Sequence, residues 1–311
     1  MRDKLTVFSG NASKDLAEGI AKYLKLTLGR VNAGRFSDGE ISIKIEENVR
    51  EKDIFVIQSI YPPADNLMEL LILIDALSRS SAQRITAVVP YYGYARQDRK
   101  DRPRVPITAK LVADLLSVAG ADRVLTIDLH AGQIQGFFDI PVDNLYAVNI
   151  LLEHFRNLNL DNLVVVSPDV GGIKMARAYS KRLSASLAIV DKRRINDRQA
   201  EVMNILGEVK GKNVIIVDDI VSTAGTITEA VRGLKNRGAK NIYCAVTHSV
   251  LSGPAIERID KADINEFVVT DTIPAQGERS HPKIKVLSVA PLLGEAIKRI
   301  HNGESVSSLF T

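Results

Sequence analysis

Short runs of β-branched and other apolar residues alternate with helical patterns along the whole chain, and this alternation limits the fold more than any other feature. Strands are expected at Leu5–Phe8, Ile54–Gln58, Ile85–Val89, Val124–Ile127, Leu163–Val166, Leu187–Val190, Val214–Val217, Ile242–Thr247 and Phe267–Thr270. Helical patterns fill most of the gaps; Leu67, Leu70, Leu71, Ile74 and Leu77 have the spacing of one helix face. Such alternation predicts an α/β fold, with mainly parallel sheets flanked by helices. The pattern runs through twice. With 311 residues the chain is long enough for two domains, expected at residues 1–146 and 147–311, with Pro141–Leu145 at the junction.

Composition narrows the functional classes. Hydrophobic residues make up 45% and charged residues 25%, ordinary values for a globular chain with a sizeable core. A net charge of +4 is too mild to point to nucleic acid, and local basic clusters favour small anionic substrates instead. The single cysteine, Cys244, lies in an apolar run and reads as a buried structural thiol. Residues Met1–Leu5 have no signal-peptide core. The most apolar stretch, Leu67–Leu77, is interrupted by Glu69 and Asp75 and is too short for a bilayer. A cytoplasmic protein without a membrane partner is the expectation.

The most specific local signal is the run from Val214 to Thr226, VIIVDDIVSTAGT. Four β-branched residues form a strand, Asp218 and Asp219 follow at its carboxyl end, and a small-residue turn leads into a helix. Open α/β sheets bind ligands at the carboxyl ends of their strands. The turn offers backbone amides, the hydroxyls of Ser222, Thr223 and Thr226, and the N-terminus of a helix expected from Thr226 to about Arg237, all suited to a phosphate monoester. Two carboxylates beside that phosphate can accept hydrogen bonds from vicinal hydroxyls, so the run describes a site for a sugar phosphate.

Five further segments carry chemistry-bearing residues, and each also has a plain structural reading. Gly34–Glu40 holds Phe36, Asp38, Gly39 and Glu40, which suit either a nucleobase pocket or an ordinary turn. Pro90–Arg104 leaves the strand Ile85–Val89 and carries Arg96, Gln97 and five basic residues in nine positions, either a polyphosphate clamp or a solvated loop. Val124–His130 ends in His130, a metal ligand, a polar contact or a structural histidine. Val164–Gly172 brings Asp169 before a glycine pair, as a Mg²⁺ ligand or a helix cap. Asp191–Arg194 places Lys192 and Arg194 just past a strand, as an electrophilic loop or a solvated charge run. Together with the sugar-phosphate run they supply what a reaction between a nucleoside triphosphate and a pentose phosphate needs.

The chain resembles the ribose-phosphate pyrophosphokinases of the classical, phosphate-activated type. The likeness rests on Phe36–Glu40, Tyr94–Lys100, Asp128–Phe138, Ser167–Asp169, the Val214–Thr226 run, Ser252–Ala255 and the tail Asn302–Ser307. It implies two tandem phosphoribosyltransferase-like domains, the first without a working sugar-phosphate loop, in a homo-hexamer. It also implies the reaction of ATP with ribose 5-phosphate to give phosphoribosyl pyrophosphate and AMP. By the same resemblance, His130 and Asp169 serve Mg²⁺. Arg96 and Gln97 bind ATP, and Phe36, Asp38, Gly39 and Glu40 hold its adenine from a neighbouring subunit. Lys192 and Arg194 neutralise the transferring group. Asp218 and Asp219 hold the ribose hydroxyls, and Ser222–Thr226 cradle the 5-phosphate, with Arg194 nearby. Inorganic phosphate as activator and ADP as inhibitor are assigned by resemblance to Arg50, Ser81, Gln135, Asn144, Ser305, Ser307 and Phe310.

The chain departs from the family pattern at Ser222, where an Asp is usual, at Gly132, where some members carry Ser, and at Ser308, where Tyr is common. Two other readings remain open from the residues alone. A nucleobase phosphoribosyltransferase would account for the loop but not for the ATP-like segments. A non-catalytic regulatory subunit is opposed by the intact His130, Lys192 and Arg194.

Overall fold

The computed structural model describes residues 4–193, 202–275 and 277–310. They fall into two compact units, one comprising the chain up to Tyr146 together with the segment from Ser288 onward, the other Ala147–Leu287. Both are α/β, as the alternation predicts.

The first unit is built on a five-stranded, all-parallel sheet ordered β1 (Leu5–Ser9), β4 (Asp53–Ile57), β5 (Arg84–Val89), β6 (Arg123–Ile127) and β7 (Val142–Leu145). Between β1 and β4 the chain forms α1 (Lys14–Leu24) and an antiparallel hairpin of β2 (Val31–Arg35) and β3 (Ile41–Ile45). The other connections run through α2 (Asp65–Arg79) and α3 (Thr108–Ala119). Strand order follows chain order without reversal. In α2, Leu70, Leu73, Ile74 and Leu77 are fully buried while Leu67 and Leu71 sit at the margin, so the buried face is turned slightly from the expected one. Each such side chain contributes about 1.5–3 kcal/mol of burial.

The second unit carries α4 (Val148–Asn157) and a seven-stranded sheet. Its order is β10 (Val202–Leu206), β9 (Ser186–Arg193), β8 (Leu163–Ser167), β11 (Asn213–Val221), β12 (Ile242–Ser249), β13 (Glu266–Thr270) and β14 (Ile284–Leu287). All neighbours are parallel except β10 against β9. Helices α5 (Ile173–Arg182), α6 (Gly225–Asn236) and α7 (Ala255–Lys261) complete it, and Ile227, Ala230, Val231 and Leu234 of α6 bury against Val214, Ile216, Cys244 and Val246. From β8 the chain builds outward to β9 and β10; from β11 it builds the other way. The reversal between β8 and β11 is a topological switch point, where the ends of parallel strands leave a crevice.

Four expectations need correction. The domain expected at 147–311 gives up its last segment, because α8 (Ala290–Asn302) belongs to the first unit. Leu293, Ala296 and Ile297 are buried there, Tyr23 donates to Glu295 at 3.0 Å, and His301 meets Asp53 at 2.8 Å. Pro141–Leu145 does not lie between the units, since Val142–Leu145 is the edge strand of the first sheet. β11 does not stop at Val217. It continues through the β-branched Ile220 and Val221, which keep pairing with His248 and Ser249 of β12. Lys192 lies not on a loop but on β9, which runs on to Arg193 because β10 offers it an antiparallel partner, Met203 opposite Lys192.

Candidate active site

At the switch point the two central strands end unequally. β8 pairs with β11 only as far as Val166 opposite Ile216. Beyond that, β11 is flanked by β12 alone, and this projecting stretch carries Asp218 and Asp219. The loop after β8 brings Asp169 to the same edge, where its charge acts on Asp218. One Asp169 oxygen accepts from the Gly172 N–H at 3.0 Å, and the Ser167 hydroxyl donates to the Asp169 carbonyl at 2.6 Å, so the loop leading into α5 is internally braced. Desolvation, together with the neighbouring Asp219 and Asp169, holds the Asp218 carboxyl well above the ordinary carboxylate range. Asp219 partly offsets this by donating its N–H to Asp218 Oδ1 at 3.0 Å.

The turn after β11 bends sharply into α6. Ala224, nearly fully buried, takes the left-handed conformation at φ 59° and serves as the helix N-cap. The first amides of a helix have no intrahelical acceptor, and a left-handed residue just before them gathers N–H groups into an anion-binding concavity. From the other side the turn is laced to the β12–α7 segment. Leu251 and Ser252 donate their N–H groups to the Val221 and Ser222 carbonyls at 3.2 and 2.9 Å. The Ser222 and Ser252 hydroxyls stand 2.9 Å apart, and Arg258 Nη1 donates to the Thr223 carbonyl at 2.9 Å. These rear contacts escaped sequence reasoning; the Ser252–Ala255 motif and the lone Arg258 on a short helix were the only signals.

Arg194 lies outside the described residues, as does the side chain of Lys192.

In the first unit the segments singled out by sequence lie mainly at the carboxyl side of the sheet. After β5, Tyr91 and Tyr92 are buried, and Gly93 packs so closely on Ile60 that a methyl group there would collide with the Ile60 carbonyl. Arg96 and Gln97 are exposed, and the Gln97 carbonyl accepts from Ala109 in the first turn of α3 at 3.2 Å. After β6, Asp128 is buried at φ 42° and His130 is exposed. Tyr94, at φ 64°, and Arg104, at φ 63°, join Asp128 and Ala224 as non-glycine residues held in the left-handed region within candidate segments. Strain of this kind gathers where a site over-determines the backbone.

Phe36–Glu40 is the tip of the β2–β3 hairpin. The Gly39 N–H donates to the Phe36 carbonyl at 3.0 Å, the Phe36 N–H to the Glu40 carbonyl at 2.8 Å, and Gly39 has φ 96°. Gly39 supplies the left-handed residue that closes such a turn. The ring of Phe36 is 58% exposed, so the plain turn also presents a free aromatic face.

Of the residues assigned to regulation, Arg50 and Ser81 share one edge, where Glu51 donates to the Ser81 carbonyl at 3.1 Å. Gln135 is exposed, and its amide donates to the Gly132 carbonyl at 2.9 Å. Asn144 is buried, and its Oδ1 accepts from the Leu129 N–H at 3.1 Å, fixing the turn before His130. Ser305 and Ser307 bond to each other at 3.0 Å, Arg299 donates to the Ser305 carbonyl at 3.2 Å, and Phe310 packs edge-on to Tyr146. The tail is therefore braced rather than frayed.

Chemically, the second unit joins an anion cradle to a cluster of carboxylates. Hard oxygen donors that repel one another fit a divalent cation such as Mg²⁺, which takes few protein ligands. Among the described residues no three acidic, histidine or cysteine side chains form a ready-made metal cage.

Comparison with known proteins decides the family. Residues 5–120 match the N-terminal domain of ribose phosphate pyrophosphokinase, and residues 193–311 match the phosphoribosyl synthetase-associated domain. The ribose-phosphate pyrophosphokinase of Chlorobaculum tepidum is 57% identical over all of this chain and 96% of its own length. The chain belongs to the ribose-phosphate pyrophosphokinase family. The Campylobacter jejuni member is likewise 57% identical, over 98% of both chains. The crystal structure of the phosphoribosylpyrophosphate synthetase from Mycobacterium smegmatis superposes with a TM-score of 0.92 at 44% identity, covering 96% of this chain and 99% of that one. Membership makes the chain an enzyme of nucleotide biosynthesis, a metal-dependent kinase that produces phosphoribosyl pyrophosphate. Among the described residues, no helix is long and apolar enough to cross a membrane.

Proposed function

We propose that the chain transfers the β,γ-diphosphoryl group of ATP to the C1 hydroxyl of ribose 5-phosphate, releasing AMP. The observation that carries this is the unequal ending of β8 and β11, which sets Asp218 and Asp219 beside the Ser222–Thr226 cradle at the switch point. The first sheet has no reversal of strand order, in keeping with a single sugar-phosphate site in the second unit.

In this reading the 5-phosphate lies against the amides and hydroxyls of Ser222, Thr223, Ala224, Gly225 and Thr226. The Asp218 and Asp219 carboxyls take the ribose hydroxyls and fix C1. Its oxygen attacks the β-phosphorus of ATP, the bond from that phosphorus to the AMP oxygen breaks, AMP leaves with that oxygen, and the C1 hydroxyl proton passes to solvent. Little covalent work falls to the protein, so catalysis is positioning plus charge neutralisation. Lys192 and Arg194 stabilise the transferring group, and Arg96 and Gln97 bind ATP. Phe36, with its exposed ring, stacks on adenine while Asp38, Gly39 and Glu40 contact its edge, from a neighbouring copy. Asp169 and His130 would hold Mg²⁺, which when bound supplies charge neutralisation on the polyphosphate.

Self-association into a hexamer is part of the same proposal, supported by the apolar stripe Leu111, Leu115 and Val118 left exposed on α3. Phosphate activation and ADP inhibition are assigned to Arg50, Ser81, Gln135, Ser305, Ser307 and Phe310, with Asn144 acting through the turn before His130. The deciding experiment supplies Mg²⁺, phosphate, ATP and ribose 5-phosphate and follows AMP and phosphoribosyl pyrophosphate together. Equal formation of the two is expected; ADP in place of AMP would overturn the mechanism.

A further inference from the structure

We infer that Arg258 is a positioning residue of the sugar-phosphate site, acting from behind the loop through the peptide that joins Thr223 to Ala224. The inference rests on the reading of Ser222–Thr226 as the 5-phosphate cradle. A loop that turns its amides toward an anion must turn its carbonyls away, and a carbonyl so turned needs a donor. Here the donor is charged: Arg258 Nη1 donates to the Thr223 carbonyl at 2.9 Å. In a trans peptide the N–H points opposite to the carbonyl. The guanidinium on the Thr223 oxygen therefore polarises the Ala224 N–H on the far side, the side from which an anion is bound. Linked hydrogen bonds of this kind strengthen one another.

Two further observations locate the arginine. Ala224 is held at φ 59°, a conformation that costs an alanine about 1–2 kcal/mol and that the Thr223 contact helps to maintain. A methyl group at Gly225 would stand 3.2 Å from Arg258 Nη1, so the guanidinium lies against the start of α6 and would have to give way slightly to a larger residue there. The Ser222–Ser252 hydroxyl contact and the bond from Ser252 N–H to the Ser222 carbonyl fix the other half of the loop. With Ser222 engaged in this way, the chain orders its loop through a second loop.

The test is calorimetric binding of ribose 5-phosphate to the full chain with Mg²⁺, together with steady-state kinetics. Arg258→Ala is expected to raise both Kd and KM for ribose 5-phosphate about tenfold, the scale of one charge-assisted hydrogen bond. Turnover at saturation and KM for ATP should stay within about twofold, because the bond serves ground state and transition state alike. Arg258→Lys, which keeps the charge, should recover part of the loss, and Gly225→Ala, which crowds the guanidinium, should move Kd in the same direction. An Arg258→Ala chain that binds ribose 5-phosphate as tightly as wild type would overturn the inference. So would equal losses in turnover and in ATP binding, the mark of a merely structural role. A Thr226→Val chain that binds ribose 5-phosphate as tightly as a wild type that makes phosphoribosyl pyrophosphate would remove the reading of the loop itself, and the inference with it.

Discussion

Asp218 is a residue whose folded environment works against its own charge. Desolvation and the nearby Asp219 and Asp169 raise its pKa above the ordinary 3.8, so it holds its proton to higher pH in the folded chain than in the unfolded one. Its contribution to stability is complete below the unfolded value and is lost as pH rises through the raised folded value. Asp218→Asn removes that loss. The unliganded variant should melt above wild type at neutral pH, by roughly 2–4 °C for each kcal/mol relieved, and the gap should close on acidification. Scanning calorimetry at neutral and acidic pH measures this, while binding of ribose 5-phosphate should fall in the same variant. Lys192 belongs to the opposite class. Its place on β9 opposite Met203 makes it part of a ladder, yet its charge is assigned to the transition state. Lys192→Ala should lower kcat about a hundredfold or more with an unchanged circular dichroism spectrum and little change in KM. An unaltered kcat would remove Lys192 from the reaction. Asp218, His130 and Asp169 could all be picked out in the sequence because each follows a β-branched run. Arg258 could not, because its importance comes from a carbonyl that only the folded turn exposes to it.

At the scale of elements, α8 shows how a segment remote in sequence completes a core. Arg84 on β5 grips the buried Asp53 on β4 through Nε and Nη2 at 2.8 and 2.5 Å, and Arg84 Nη2 also donates to the Ile300 carbonyl at 3.1 Å. His301 closes the cluster on the same carboxylate. Asp53→Ala leaves a guanidinium and an imidazole without their shared acceptor, and should cost about 2 kcal/mol in urea unfolding. A cost below a few tenths would mean that α8 is held by its apolar face alone. Gly93→Ala should be harsher, by about 2 kcal/mol or more, because its obstacle is the Ile60 backbone rather than a side chain that can swing away. Nine strands were legible in the sequence as apolar runs. β2, β3, β7, β10 and β14 were not: β2 carries Asn and Gly in its five residues, β7 and β14 have only four residues each, and β3 and β10 each pair with a single neighbour, so these strands rely on their partners more than on their own pattern. The true end of β11 was hidden for a related reason. Two carboxylates look like the end of a strand, but the ladder with β12 carries them forward, and that extension is what makes the crevice.

For the whole molecule, the repeated alternation fixed the fold class, while the division at residue 146 left out the return of the C-terminal helix to the first unit. Hydrophobic pattern records which face of a helix is buried but not which sheet buries it. The same limit applies to surfaces between copies. On α3, Leu111, Leu115 and Val118 are 55%, 37% and 86% exposed and follow one another at i, i+4 and i+7, a contiguous apolar stripe on a helix whose other face fills the core with Val112 and Leu116. If the stripe mediates assembly, Leu111→Glu with Val118→Glu places charge where a copy would bury apolar surface, and sedimentation velocity should report a smaller species than wild type. Activity should fall with it, although neither residue belongs to the catalytic set, because the Phe36 hairpin tip is assigned to a neighbour's adenine pocket. The two readouts separate the claims. A variant of unchanged size shows that α3 is not the contact, whereas a smaller species with full activity shows that each chain completes its own ATP site, and returns Phe36 to the role of an exposed ring on a hairpin turn.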